Sequence, residues 1–239
     1  MHKLAADILD AHGGLDRWKR HDRLTAHLVQ GGVLWPLKGQ AGVLDDTSVT
    51  VSLREIHASH APFGTIAARS DYRPDRVALL DAAGGAIEAL DQPRASFAGH
   101  TLETPWTAPQ LAYFAGCAMW TYFNMPFLLA WDGVETDELD VWEEDGQRWR
   151  RLRVQLPPTI VSHSSVQTLY ITDEGLIARH DYDVEIAGGT PGAHYLTDYV
   201  EVDGIRLPTR RRIYPRQPDG QRVPEPLVVS IDIDHYVFG

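Results

Sequence analysis

Hydrophobic and polar positions change period several times along this chain. Leu4, Ala5, Ile8 and Leu9 recur at helical spacing before Gly13-Gly14, which predicts a short amphipathic helix over 3–12, with a further turn or two in 15–21. From Leu24 the period becomes two. LTAHLVQ, AGVLDD, SVTVSLREIH, TIAARSDY and RVALLDAAGGAIEAL read as strands, the last folded back at Ala83-Gly84-Gly85. After a loop over 92–110, the run LAYFAGCAMWTYFNMPFLLAW, Leu111 to Trp131, is apolar on every side. Thr107 and Gln110 have the spacing of a capping box, Pro109 fits the first turn and Pro126 blocks continuation, so a helix over about 108–124 is predicted. Alternation returns in RWRRLRVQL, SSVQTLYIT, GLIARHDYDVEIAG, HYLTDYVEVDGIRLPTRRRIY and LVVSIDIDHYVF, with turn signals at Asp173-Glu174-Gly175 and Val202-Asp203-Gly204.

The expected fold is mainly β with α, a single domain over 1–239 with no repeat or linker. A helix apolar all round must be buried all round. The central run is interrupted by Thr121, Tyr122, Asn124 and Pro126, so enclosure by a curved antiparallel sheet is expected in place of membrane insertion. Such a half-barrel leaves a pocket wherever the helix does not fill it, and Trp120, with Tyr122 and Phe123, suits a pocket wall for a small organic molecule.

Composition narrows the partners. The chain has 239 residues with 22 Lys+Arg against 33 Asp+Glu, a formal net charge of -11, which disfavours nucleic acid and anionic membranes and favours a cationic or zwitterionic small partner. Cys117 is the single cysteine, so no internal disulfide is expected, and the first residues, MHKLAADILDAHGG, carry Asp7 and Asp10 where a signal peptide would be apolar. A cytoplasmic setting is therefore expected. The sequence contains no GxGxxG after a strand, no phosphate-binding loop, no GxSxG and no HExxH.

The order of elements, together with the hairpin DYVEVDGIRLPTRRRIY, resembles the LolA/LolB-like lipoprotein-carrier half-barrel. That resemblance implies an open sheet around a helical plug; the absence of an export signal or lipidation cysteine near the start departs from the carriers. AYFAGCAMWTYFNMPFLLAWDGV and SHSSVQTLYITDEGLIARHDYDVEIAGG also resemble an uncharacterised bacterial family. A similarity to the ring-forming proteins of azinomycin-type azabicycle biosynthesis, carried by no residue-level motif, implies aziridine formation by intramolecular displacement in secondary metabolism and directs attention to acid/base groups.

Strand parity supplies the candidates. Asp45 shares parity with Val43, Val49, Val51 and Leu53, which marks it as a buried carboxylate and general base, against the alternative of an exposed Asp45-Asp46 turn. Glu103, upstream of the helix cap, is the second catalytic candidate, placed to meet an amine at the cavity mouth; the alternative is a surface loop residue. His180 and Tyr182 share a face with Leu176, Ala178 and Val184, leaving Arg179, Asp181 and Asp183 on a solvated face, and His194 and Asp198 form an inward pair. Arg211 is in register with Ile205, Leu207 and Ile213, and a buried guanidinium needs an anion, either a structural carboxylate or one belonging to a substrate. Trp120, His180, Tyr182, His194 and Arg211 are thus the candidate substrate-binding residues. Neither a metal nor a cofactor is expected, since His57 and His60 lack a third ligand and parity divides Asp232 and Asp234 from His235. Alternatives to a metal-free cyclase are a non-catalytic carrier or sensor of a hydrophobic ligand, and a scaffold whose apolar helix docks a partner subunit or a second copy.

Overall fold

The computed structural model describes residues 2–239. The helices are α1 (Lys3–Ala11), α2 (Leu15–Trp18), α3 (Leu34–Leu37) and α4 (Ala108–Asn124). The first six strands are β1 (Arg23–Gly31), β2 (Asp46–Ser52), β3 (Ala58–Ala61), β4 (Arg69–Arg73), β5 (Arg76–Leu80) and β6 (Ala86–Asp91). Seven more follow α4: β7 (Glu135–Glu144), β8 (Gln147–Gln155), β9 (Val166–Ile171), β10 (Ile177–Val184), β11 (Thr190–Val202), β12 (Ile205–Pro215) and β13 (Val229–Phe238).

All thirteen strands belong to one antiparallel sheet, ordered β6-β5-β4-β3-β2-β1-β13-β12-β11-β10-β9-β8-β7. β1 and β13 pair at its middle, and β6 and β7 are its free edges, so the sheet is an open half-barrel. The chain between those two edges holds α4, which therefore lies across the concave side. Thr107 accepts from the Gln110 amide while the Gln110 side chain accepts from the Thr107 amide, starting α4 as the sequence predicts. Every residue from Pro109 to Asn124 is buried within the chain. The helix consequently offers no exposed face of its own for a partner to dock on.

α4 is held to one half of the sheet. The Trp120 indole donates to the carbonyls of Ser52 (3.0 Å) and Glu55 (2.8 Å), and the Asn124 amide also reaches Ser52 (3.2 Å), so the helix end is tied to the end of β2. One turn earlier, a Cβ at Gly116 would lie 2.4 Å from Cβ of Tyr72 on β4, and only glycine allows this approach. Packing against β2–β5 leaves room between α4 and the strands on the other side.

Several expected elements differ. AGVLDD forms no strand: β2 starts only at Asp46, after turns around Gly39 and Gly42 with φ of 71° and 82°. β7 gives no alternation in the sequence, since it is an acidic edge strand without an apolar face. The outer face of β10 is solvated at Asp183 but not at Arg179 and Asp181: Arg179 is fully buried between Glu144 and Asp181, under Trp142, Tyr170 and Tyr195, with the carbonyl of Gly220 closing over it. Asp198 has φ of 57° and is exposed beside Arg210 (3.0 Å), so it does not pair with His194. Asp234 is the extra residue of a bulge where His27 faces His235 and Leu28 faces Ile233, which puts Asp234 and His235 on the same side, bonded at 2.6 Å. No helix among the described residues is long and apolar enough to cross a membrane.

Candidate ligand-binding site

Between α4 and β10–β13 lies a cavity of about 250 Å³. Its helix wall is Phe114, Ala115, Ala118, Met119 and Tyr122; its sheet wall includes Tyr182, Ile213, Val229 and Ile231. Leu34 and Trp35 of α3 and Trp106 complete it. Val33 and Leu37, 43% and 41% exposed, belong to the same lining, so the cavity opens at the α3 end. An apolar cavity of about 150 Å³ stays dry and takes up benzene, and this one is larger. Apart from Gln30 at one side, polar side chains on its wall are few, the most prominent being the joined hydroxyls of Tyr122 and Tyr182.

Behind that tyrosine pair the interior turns polar. Across the sheet His180 on β10 faces His194 on β11, which faces Ile213 on β12; one pleat further along, Leu196 faces Arg211, which faces Ile231. Ile213 and Ile231 are cavity wall, so Arg211 sits immediately beyond its end. The Arg211 guanidinium lies 5.3 Å from the Tyr122 ring centroid and is 2% exposed. Its Nη2 reaches the Tyr122 carbonyl at 3.4 Å; Nε and Nη1 make no hydrogen bond, and the nearby Tyr236 hydroxyl donates to the Pro208 carbonyl. It makes no ion pair with any carboxylate among the described residues.

The surrounding groups are neutral. Gln167 donates its amide to Ser162 (2.8 Å) and to the Ser164 carbonyl (3.0 Å), which turns its oxygen toward His180 Nε2 at 2.6 Å and makes that nitrogen the donor. Burial, helped by the charge of Arg211, lowers His180 to about 3, and it pushes His194 well below the ordinary imidazole range. His194 has no partner on either ring nitrogen. Burial raises Tyr122 to about 12, so its phenol keeps its proton.

The residues expected from the sequence separate into two groups. His180, Tyr182, His194 and Arg211 come together around Tyr122. Trp120 does not join them, because it lies on the face of α4 that also carries Gly116 and serves the anchor to β2; Ala115, Ala118, Met119 and Tyr122 face the cavity. Asp45 is exposed, outside the cavity lining, and its carbonyl accepts from the Gln30 backbone amide; it sits between the buried Leu44 and Thr47, the first inward residue of β2, which begins one residue after Asp45. Glu103 is an exposed loop residue whose carboxylate accepts from the Thr101 hydroxyl at 2.9 Å. That bond, with its own amide and the charge of Lys38, holds it below the usual carboxylate range. Its neighbours Leu102 and Trp106 line the cavity; Glu103 does not.

Lys38 was missed by the sequence reading. It is fully buried, and its ammonium donates to the carbonyls of Thr101 (3.2 Å), Leu102 and Thr104 (3.1 Å), which fixes the loop beside the cavity mouth. Gln30 could have been found, since it shares parity with Leu24, Ala26 and Leu28. His60 is buried without a partner and His57 lies 3.4 Å from Asp71, and no group of three or more His, Cys, Asp or Glu side chains among the described residues is arranged to hold a metal ion.

No protein-family model and no curated protein matches the chain. Among solved structures, a LolA superfamily protein from Nitrosomonas europaea is 9% identical over 97% of this chain and 90% of that one, with a TM-score of 0.49. A DUF1329 family protein from Desulfovibrio piger is 13% identical over 99% and 92%, with a TM-score of 0.48. A Vibrio parahaemolyticus domain described provisionally as an outer membrane lipoprotein-sorting protein is 10% identical over 99% and 91%, at 0.46. None of these findings points to the ring-forming proteins of azabicycle biosynthesis. The open antiparallel half-barrel with α4 across its concave side stands on this chain's own strand order and packing.

Proposed function

We propose that the protein binds one small, largely apolar organic molecule between α4 and β10–β13 and acts as a carrier or sensor of it. The supporting observation is the cavity itself: about 250 Å³ of room beside the Ala115, Ala118, Met119 and Tyr122 face of the helix, the face turned away from its packing on β2–β5. Interiors of this density do not leave such space by default. Intramolecular amine cyclisation would need a base at the bound molecule, and Asp45 and Glu103 are both exposed and outside the lining, so the reading is of binding without turnover.

The neutral fluorophore N-phenyl-1-naphthylamine tests this directly. Its emission is expected to rise on binding the wild-type protein. Ala118→Phe, which puts a ring into the cavity from α4, is expected to weaken that binding at least tenfold while melting stays cooperative. Asp45→Asn and Glu103→Gln are expected to bind as wild type does. No enhancement with wild type, or undiminished binding by Ala118→Phe, would contradict the proposal.

A further inference from the structure

We infer that the bound molecule is an anionic amphiphile: its chain lies in the apolar cavity and its carboxylate is taken at Arg211, behind Tyr122 and Tyr182. This rests on the cavity being a binding site and adds the chemistry of the ligand's head.

Two observations at the arginines carry it, together with position. Arg211 is a permanent cation, 2% exposed, with two of its three nitrogens unpartnered, in an interior where both neighbouring histidines are uncharged. The other fully buried arginine, Arg179, shows what this chain does with a structural guanidinium: it supplies Glu144 at 2.8 Å and Asp181 at 2.7 Å. Arg211 is given neither. Taking a charge out of water costs several kcal/mol unless an opposite charge and hydrogen bonds replace the solvent, and contact with the Tyr122 and Phe123 rings replaces only part of it.

Position supplies the rest. Arg211 is one pleat beyond Ile213 and directly across from Ile231, both cavity wall, and two residues along a strand span about 7 Å. Beside it is a hollow of about 10 Å³, lined among others by His180, Tyr122 and Tyr199, which is room for one oxygen-sized group. Tyr122 lines both spaces, so it is the partition between them. A carboxylate arriving at the closed end of the cavity meets two phenolic hydroxyls that now bond only to each other, then the free Nε and Nη1 of Arg211 and the unpartnered ring of His194. Arg211 thus puts a positive charge without a carboxylate partner at the inner end of the cavity, although the chain as a whole carries -11. Exposed carboxylates are screened over about 10 Å at ordinary ionic strength, so they do not cancel a buried charge.

The test displaces N-phenyl-1-naphthylamine with dodecanoate, dodecan-1-ol and dodecylamine, three ligands of equal chain and different head. Dodecanoate is expected to bind wild type at least tenfold more tightly than the alcohol, with the amine weakest. In Arg211→Met the carboxylate is expected to fall to the level of the alcohol. Equal binding of acid and alcohol by wild type would overturn the assignment of the head while leaving the cavity as a binding site; an advantage of the acid that survives in Arg211→Met would overturn it too. If none of the three displaces the fluorophore, the cavity reading itself fails.

Discussion

The hydroxyl of Tyr122 on α4 and the hydroxyl of Tyr182 on β10 hydrogen-bond to each other in the interior, at the boundary between the apolar cavity and the compartment of Arg211, His180 and His194. Among the described residues they make the one direct side-chain hydrogen bond between the plug helix and the strand that carries His180. On its other side the plug is fastened through Trp120 and Asn124 to the end of β2.

Removing one hydroxyl leaves the other buried without a partner, which costs about 1–3 kcal/mol, whereas removing both at once deletes donor and acceptor together. Tyr122→Phe and Tyr182→Phe are therefore each expected to lower the urea midpoint, and the double variant to be less destabilised than the sum. Additive losses in a double-mutant cycle would mean that the pair contributes nothing as a pair.

The two fully buried arginines are expected to respond in opposite directions. Arg179→Met leaves Glu144 and Asp181 without the cation that neutralises them, and breaking a buried pair in this way costs about 3–5 kcal/mol. Arg211→Met orphans no carboxylate and removes an uncompensated charge, so the unliganded protein is expected to be as stable as wild type or more so. Thermal melting of both variants without ligand decides it. A loss at Arg211 as large as that at Arg179 would show that Arg211 has a structural partner after all.

Stability is expected to fall with acid. Burial lowers His12, His60 and His163 to about 4, His180 to about 3 and His194 well below the ordinary 6.5, so all five stay neutral in the fold while the unfolded chain takes up protons below pH 6.5. The unfolded state binds more protons across that window, and each such site lowers stability by about 1.4 kcal/mol per pH unit until its folded pKa is reached. His27, raised by Asp46 and Asp234, acts in the reverse sense, but it is a single surface site. Urea midpoints at pH 7, 6 and 5 are expected to decline steadily, and His60→Met, which removes a histidine with no partner on either nitrogen, to lessen the slope by one proton. A midpoint unchanged between pH 7 and 5 would contradict this.

Much of the site could be read from alternation because the strands that carry it are regular. Parity alone turned His180, Tyr182, His194 and Arg211 inward, and the capping box with Pro126 placed α4 at its observed bounds. The failures have local causes. Asp45 has inward parity but precedes its strand, so the alternation does not reach it. Trp120 was placed on the cavity because a helix apolar all round gives no signal of which face meets the sheet and which the empty space. Burial of Arg179 depends on Glu144, Tyr195 and Gly220, brought from distant parts of the chain, which no local pattern encodes. Nor does sequence reveal that Arg211 lacks a carboxylate, since that is a property of everything packed around it.

The most direct measurement is a crystal structure with 12-bromododecanoate, the bromine located by its anomalous scattering. The account predicts a bromine peak inside the half-barrel, near Trp35 and Phe114, with the carboxylate at the Arg211 end. Bromine found only on the outer surface, with the space between α4 and β10–β13 unchanged, would contradict it.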